Sequence, residues 1–144
     1  MYLLVKPSCA LENDEIESIL SILKHEFEIP SLSLKEKEAL KKSETMWFML
    51  KNKHEEIIGL ASFSNCKEDN LKNVTVKKQY RNKSLCTKML KEIIKFYCEH
   101  KKQLYSPCLT VNKNSKSSKL LKLYSNNGFK VDYHDSTKYY LSLK

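Results

Sequence analysis

At 144 residues with 41% apolar content, the chain has the material of a single domain, residues 1–144, and enough of it to bury a core without disulfide or metal staples. Its five cysteines (Cys9, Cys66, Cys86, Cys98 and Cys108) form no CxxC pair, and its four histidines show neither HxxxH nor HExxH spacing, which argues against a disulfide framework and against a metal site. The formal charge of +9 is unevenly divided: residues 1–70 carry 9 Lys/Arg against 13 Asp/Glu, and residues 71–144 carry 17 against 4.

A basic half suits a polyanion or a phosphorylated cofactor, and an acidic half suits a cationic second partner. The opening MYLLVKPSCA lacks the long apolar core of a signal peptide. No apolar run approaches the roughly 18 residues of a membrane span. A cytoplasmic protein with reduced thiols and no membrane contact is expected.

In chain order, Tyr2 to Val5 predicts a short strand that ends at Lys6-Pro7. Leu11 to Glu15 open a helix whose Ile16, Ile19, Leu20 and Leu23 recur at three- and four-residue spacing, and Ile29-Pro30 stops it. A weaker helix follows Ser33, with Leu34 and Leu40 among many charges. Thr45 to Leu50 and Glu56 to Ser64 read as strands joined by the polar turn from Lys51 to His54, an antiparallel hairpin. After a second turn at Lys67 to Asn70, Leu71 to Lys77 forms the next strand. Leu85, Met89, Leu90, Ile93, Ile94 and Tyr97 then line one face of a long helix.

Cys108 to Val111 is a short apolar strand. A polar run from Asn112 to Ser118 leads into a helix carrying Leu120, Leu121, Leu123 and Tyr124, which Asn127-Gly128 ends as a left-handed cap. Val131 and Tyr133, a turn at Asp135-Ser136, and Tyr139 to Leu143 make a closing hairpin. The order βααβββαβαββ implies a mixed α/β sandwich around one largely antiparallel central sheet flanked by helices.

The run VTVKKQYRNKSLCTKMLKEII, residues 74–94, resembles the acetyl-coenzyme A motif of the GNAT superfamily of N-acetyltransferases, and LLKLYSNNGFK, residues 120–130, resembles its Leu-Tyr and Gly-Phe signature. The order of elements agrees with that family along essentially the whole chain. Arg81 fits the first position of the loop motif. Ser84 and Cys86 stand where the family places Gly and then Gly or Ala, and Ser117 stands where an Asn often holds the pantetheine arm, with Asn112 or Asn114 nearby.

The resemblance implies that acetyl-coenzyme A is the acetyl donor, with its pyrophosphate on the loop Arg81, Asn82, Lys83, Ser84, Leu85, Cys86 and the following Thr87. The first turn of a helix leaves backbone N–H groups unpaired at the positive end of its dipole, which is the physical basis of such a cradle. By the same resemblance the pantetheine arm runs beside Val74 and Val76, with Asn114 and Ser117 at its side. The Val76 N–H would polarise the thioester carbonyl and Tyr124 would protonate the leaving thiolate or hydrogen-bond its sulfur. No carboxylate lies on the strand from Leu71 to Lys77, so Glu68, Asp69 and His134 stand as unassigned candidates for a base.

The expected acceptor is a primary amine attacking directly in a ternary complex. Glu12, Asp14, Glu15, Glu17, Glu36 and Glu38 would form an acidic rim suited to a polyamine, an aminoglycoside-like molecule or a Lys or N-terminal amine of a peptide. A monomer or homodimer is expected. Two other classes bear on the same residues: an acetyl-coenzyme A-binding regulator without turnover, since both small loop positions are filled, and a basic nucleic-acid-binding module. Against the latter stands the absence of a binding motif or of a basic stripe interleaved with aromatics.

Overall fold

The computed structural model describes residues 1–27, 38, 40, 44–81 and 84–143. Strand β1 (Tyr2–Pro7) and helix α1 (Asn13–Phe27) are followed by β2 (Thr45–Lys51), β3 (Ile57–Ser64) and β4 (Leu71–Val76), then α2 (Leu85–His100), β5 (Cys108–Asn112), α3 (Ser117–Asn126), β6 (Phe129–His134) and β7 (Lys138–Leu143). The helix expected after Ser33 lies outside the described residues, apart from Glu38 and Leu40, which are helical. No helix of the described residues is long and apolar enough to cross a membrane.

The sequences MWFML and IIGLASF are apolar on both strand faces because a helix covers each face of this sheet. Trp47, Met49, Ile57 and Leu60 meet Leu11, Ile16, Ile19, Leu20 and Leu23 of α1 and its approach. Phe48, Ala61 and Phe63 meet Leu90 and Ile93 of α2, and Leu50 and Ile58 meet Leu85 and Met89. The alternation follows from the two-residue period of a strand. At Gly59 an added Cβ would lie 3.1 Å from the Met89 sulfur, so the absence of a side chain lets α2 approach β3.

The fold is mixed α/β, and among the described residues every strand pairing is antiparallel. Its hydrogen-bonded ladder is divided in two: a four-stranded sheet ordered β1-β2-β3-β4 and a three-stranded sheet ordered β5-β7-β6. The expected closing hairpin forms, with β7 inserted between β6 and β5. Leu109, Val111, Tyr124, Phe129 and Leu141 share one core cluster with Phe48, Phe63 and Leu90, so hydrophobic packing crosses the division that the ladders leave. Gly128 caps α3 at φ +92°, where only a residue without Cβ is unstrained, and the Asn127 N–H donates to Tyr124 O at 3.0 Å.

Candidate functional site

The division between the sheets runs along β4 and β5, and its two ends differ. At the start of both strands the side chain of Asn70, fully buried, takes the place of ladder bonds. Its Nδ2 donates to Cys66 O at 3.1 Å and to Ser106 O at 3.0 Å, while its Oδ1 accepts the Cys108 N–H at 2.8 Å. Further along, Asn73 and Val74 together oppose Ala61 as a β-bulge. Asn73 adopts φ +59° there, a conformation that Asn tolerates better than most residues. Its Nδ2 donates to Ser62 Oγ at 3.1 Å, and Ser62 Oγ donates to Lys72 O at 3.2 Å.

Beyond the bulge the Lys77 N–H donates to Ile58 O at 2.8 Å. In an antiparallel ladder bonded and non-bonded pairs alternate. Val76, opposite Gly59, is therefore in a non-bonded pair, and its N–H and C=O point away from β3 into the seam. On the near side of Val76, around the bulge, the space between the strands is a cleft of about 350 Å³ lined by residues 71–74 of β4, residues 109–112 of β5, Asp69, Asn114, Leu120 and Tyr124.

At the far end of β4 the chain makes a single 3-10 turn at Lys78–Tyr80, and the Tyr80 hydroxyl accepts a hydrogen bond from Asn52 Nδ2 at 3.2 Å. Arg81 turns back onto the strand, where its Nε donates to Val76 O at 2.9 Å. Asn82 and Lys83 lie outside the described residues. Ser84, at the position where the resembling family carries Gly, precedes α2 with φ 58° and ψ 21°, a left-handed backbone that glycine adopts freely. The Lys88 N–H donates to Ser84 O at 3.1 Å. That makes Ser84 O the first acceptor of the helix, and the amides of Leu85, Cys86 and Thr87 are left without an intrahelical partner.

Leu85 can offer only that amide, since its side chain is buried against Leu50, Ile58, Val76 and Met89. Cys86 and Thr87 are half-buried, and burial pushes the Cys86 thiol up to about 11. Tyr124, 7% exposed, comes to the cleft from α3 and packs edge-on against Phe129 with ring centroids 5.7 Å apart. Burial, with Cys86 adding to it, pushes its phenol well above the usual tyrosine range. Asn114 lines the cleft and builds the turn into α3: its Oδ1 accepts the Lys116 N–H and its C=O accepts the Ser117 hydroxyl, both at 2.8 Å. The Ser117 hydroxyl is thus engaged in that turn.

The remaining sequence candidates separate. Asp69 lines the cleft and lies 3.9 Å from Lys72. Glu68 is exposed on the turn between β3 and β4. His134 is exposed, and Lys113 Nζ donates to its Nδ1 at 2.8 Å. Glu15 does not belong to an open acidic rim: it is buried, paired with Lys6 at 2.8 Å and Lys51 at 3.4 Å, and accepts the Glu12 N–H at 3.0 Å. Burial opposes its ionisation, but the bonds from Lys6, Glu12 and Lys51 outweigh burial and hold it below the usual carboxylate value. Glu12, just before α1, and Asp14 and Glu17 on it are exposed, Glu38 is exposed, and Glu36 lies outside the described residues. Asn70 and Asn73 were not marked by their sequence context, in which Asn signals a turn. Only an Asn inside a strand pattern hinted at a bulge.

A protein-family model described as an acetyltransferase (GNAT) domain matches residues 42–131. No curated protein sequence gives a match. Among solved structures, the Campylobacter jejuni N-acetyltransferase PseH is 27% identical with TM-score 0.68, over 99% of this chain and 97% of that one. PseH has also been solved in complex with acetyl coenzyme A. A GNAT-family acetyltransferase from Staphylococcus aureus Mu50 is 23% identical with TM-score 0.62, over 99% of this chain and 100% of that one. An acyl-CoA N-acyltransferase from Pseudomonas aeruginosa superposes with TM-score 0.76 at 10% identity, over the whole of both chains.

Proposed function

Because the chain belongs to the GNAT acetyltransferase family, we propose that it moves an acetyl group from acetyl-coenzyme A to a primary amine by direct attack in a ternary complex. The observation that carries this reading is the open edge of β4: a cleft between β4 and β5 that reaches Tyr124, a Val76 N–H just beyond its last β4 residue that is turned away from β3, and three helix-end amides that follow in the chain. The residues fit the cofactor. Ser84 adopts a left-handed turn without being glycine, so its side chain does not prevent the backbone shape that a glycine there would allow. Residues 1–144 act as one domain in this reading, since a single core cluster joins both sheets.

In the proposed mechanism the amides of Leu85, Cys86 and Thr87 bind the pyrophosphate, aided by the positive end of the α2 dipole. Arg81 braces the strand through the Val76 carbonyl, which leaves the Val76 N–H directed at the thioester oxygen. That amide strengthens its hydrogen bond as the oxygen gains charge under attack. Tyr124 keeps its proton at neutral pH and donates to the sulfur. The leaving thiolate takes the phenol proton as the carbon–sulfur bond breaks, so Tyr124 acts as the acid although burial makes it hold that proton tightly.

A lysine-like amine with pKa near 10.4 is neutral in only about one molecule in 2,500 at pH 7, a cost of roughly 4.6 kcal/mol. A proton acceptor therefore acts before attack. The test is thiol release from acetyl-coenzyme A across a panel of amines, paired with calorimetry of coenzyme A. Turnover with at least one amine supports the proposal. Tight cofactor binding with no turnover across the panel would make the protein a regulator, and no cofactor binding would remove both readings.

A further inference from the structure

The three-stranded sheet has one face in the core and one outside it. Leu109, Val111, Leu141 and Phe129 are buried on the first. On the second, Thr110 of β5, Tyr140 of β7 and Tyr133 of β6 are direct cross-strand neighbours. Tyr133 is 62% exposed, so core packing does not account for its ring. The two tyrosine rings lie parallel, with centroids 4.3 Å apart and planes 13° from one another.

Neighbouring strands are about 4.8 Å apart, so the stacking direction is the direction from strand to strand. One face of the Tyr140 ring is therefore covered by Tyr133, and the other is turned toward Thr110, its neighbour on β5. Thr110 lines the cleft between β4 and β5 together with Asp69, Lys72 and Asn73 from the opposite side.

Charge on this side of the cleft has a clear pattern. The Tyr140 hydroxyl donates to Asp135 Oδ2 at 3.0 Å. The other Asp135 oxygen accepts the N–H groups of Thr137 and Lys138, both at 2.8 Å, and these bonds hold the carboxyl well below the usual range. The bond to Asp135 fixes the Tyr140 ring in place, and the face of an aromatic ring carries the negative lobe of its quadrupole, which attracts a cation. Asp135 chiefly, and Asp69 in smaller measure, push the Tyr140 phenol up. The Asp69 partner, Lys72, is half exposed at 3.9 Å, a surface pairing weak enough for a ligand cation to replace. Lys130 and Lys138 lie on the same face to either side of Tyr140 and bound the patch.

We propose that the free face of Tyr140, backed by Tyr133, receives a second, non-reacting ammonium of the acceptor, with Asp69 as its counter-ion across the cleft mouth. The acceptor class is thus a diamine or longer polycation rather than a lone amine. This rests on the acyl-transfer reading for the identity of the ligand as acceptor, while the cation site itself can be measured without turnover.

The experiment is calorimetry of 1,4-diaminobutane into the protein saturated with coenzyme A at low salt, with neutral 1,4-butanediol as control. Saturable diamine binding is expected, weakened about 10-fold by Tyr140→Leu and by Asp69→Asn, and kept within about two-fold by Tyr140→Phe, which retains the ring. Unfolding curves of each variant separate lost binding from lost fold. No saturable diamine binding, equal binding of the diol, or equal losses in Tyr140→Leu and Tyr140→Phe would overturn the proposal. Thiol release measured alongside keeps the two readings apart. Diamine binding without acetyl transfer to it or to any amine of the panel leaves the cation site standing and removes the transferase reading, whereas equal KM for 1,4-diaminobutane and 4-amino-1-butanol removes the cation site alone.

Discussion

Where β4 and β5 begin, the buried amide of Asn70 bonds three backbone groups, two carbonyls and the Cys108 N–H, and holds the two sheets together. Six residues further along, the Val76 N–H is turned away from β3 and no ladder joins it to β5. A single side chain supplies the hydrogen bonds of a ladder for one rung, and the bulge at Asn73 then turns β4 before a second rung can form. The comparison teaches that one seam can be structural at one end and leave backbone polarity available for a ligand at the other.

The closed end should break most severely. Asn70→Ala removes three buried hydrogen bonds and is expected to cost about 3 kcal/mol of stability, read from the urea midpoint; an unchanged midpoint would mean that the vertex is held by core packing. At the open end, Tyr124→Phe keeps the ring and its contact with Phe129 but removes the proton. Turnover should fall about 10²-fold with coenzyme A affinity preserved, and equal rates would return Tyr124 to a packing role.

Cys86, beside the helix end, gives a pH-dependent contrast. Its thiol is raised from 9.0 to about 11 in the folded chain, so the unfolded chain ionises first. The stability it contributes is fully present below pH 9 and is lost as pH rises toward 11. Cys86→Ala should flatten that alkaline decline, and at pH 8 Cys86 should alkylate roughly 10²-fold more slowly than exposed Cys9 or Cys98. Comparable alkylation rates would show that the helix end opens in solution. The smallest effect is expected at Ser84. Ser84→Gly relieves a side chain from φ +58° and should add about 0.5–1 kcal/mol, with coenzyme A bound at least as tightly; looser binding would show that the hydroxyl itself contacts the cofactor.

Local patterns in the sequence determined the elements of this fold. The apolar, aromatic-rich run from Thr45 to Leu50, the helical spacing from Leu85 to Ile94 and the Asn127-Gly128 cap each depend on neighbours within one or two turns, and each stands where the sequence put it. The same is true of the two motifs that mark the family, because their spacing along the chain is preserved whatever the rest of the molecule does.

Tertiary structure alone decided how those elements meet. Glu15, Asn70, Asn73 and Tyr140 read locally as a solvated helix carboxylate, a turn residue, a strand polar residue and a strand aromatic. Their roles come from partners distant in sequence: Lys51 for Glu15, Cys108 for Asn70, Ser62 for Asn73, and the bulged register that sets Tyr133 beside Tyr140. The insertion of β7 between β5 and β6 and the open seam along β4 depend on which strand edges pair. That choice is made by side-chain packing across the whole core, where sequence periodicity says which face is buried but not what lies against it.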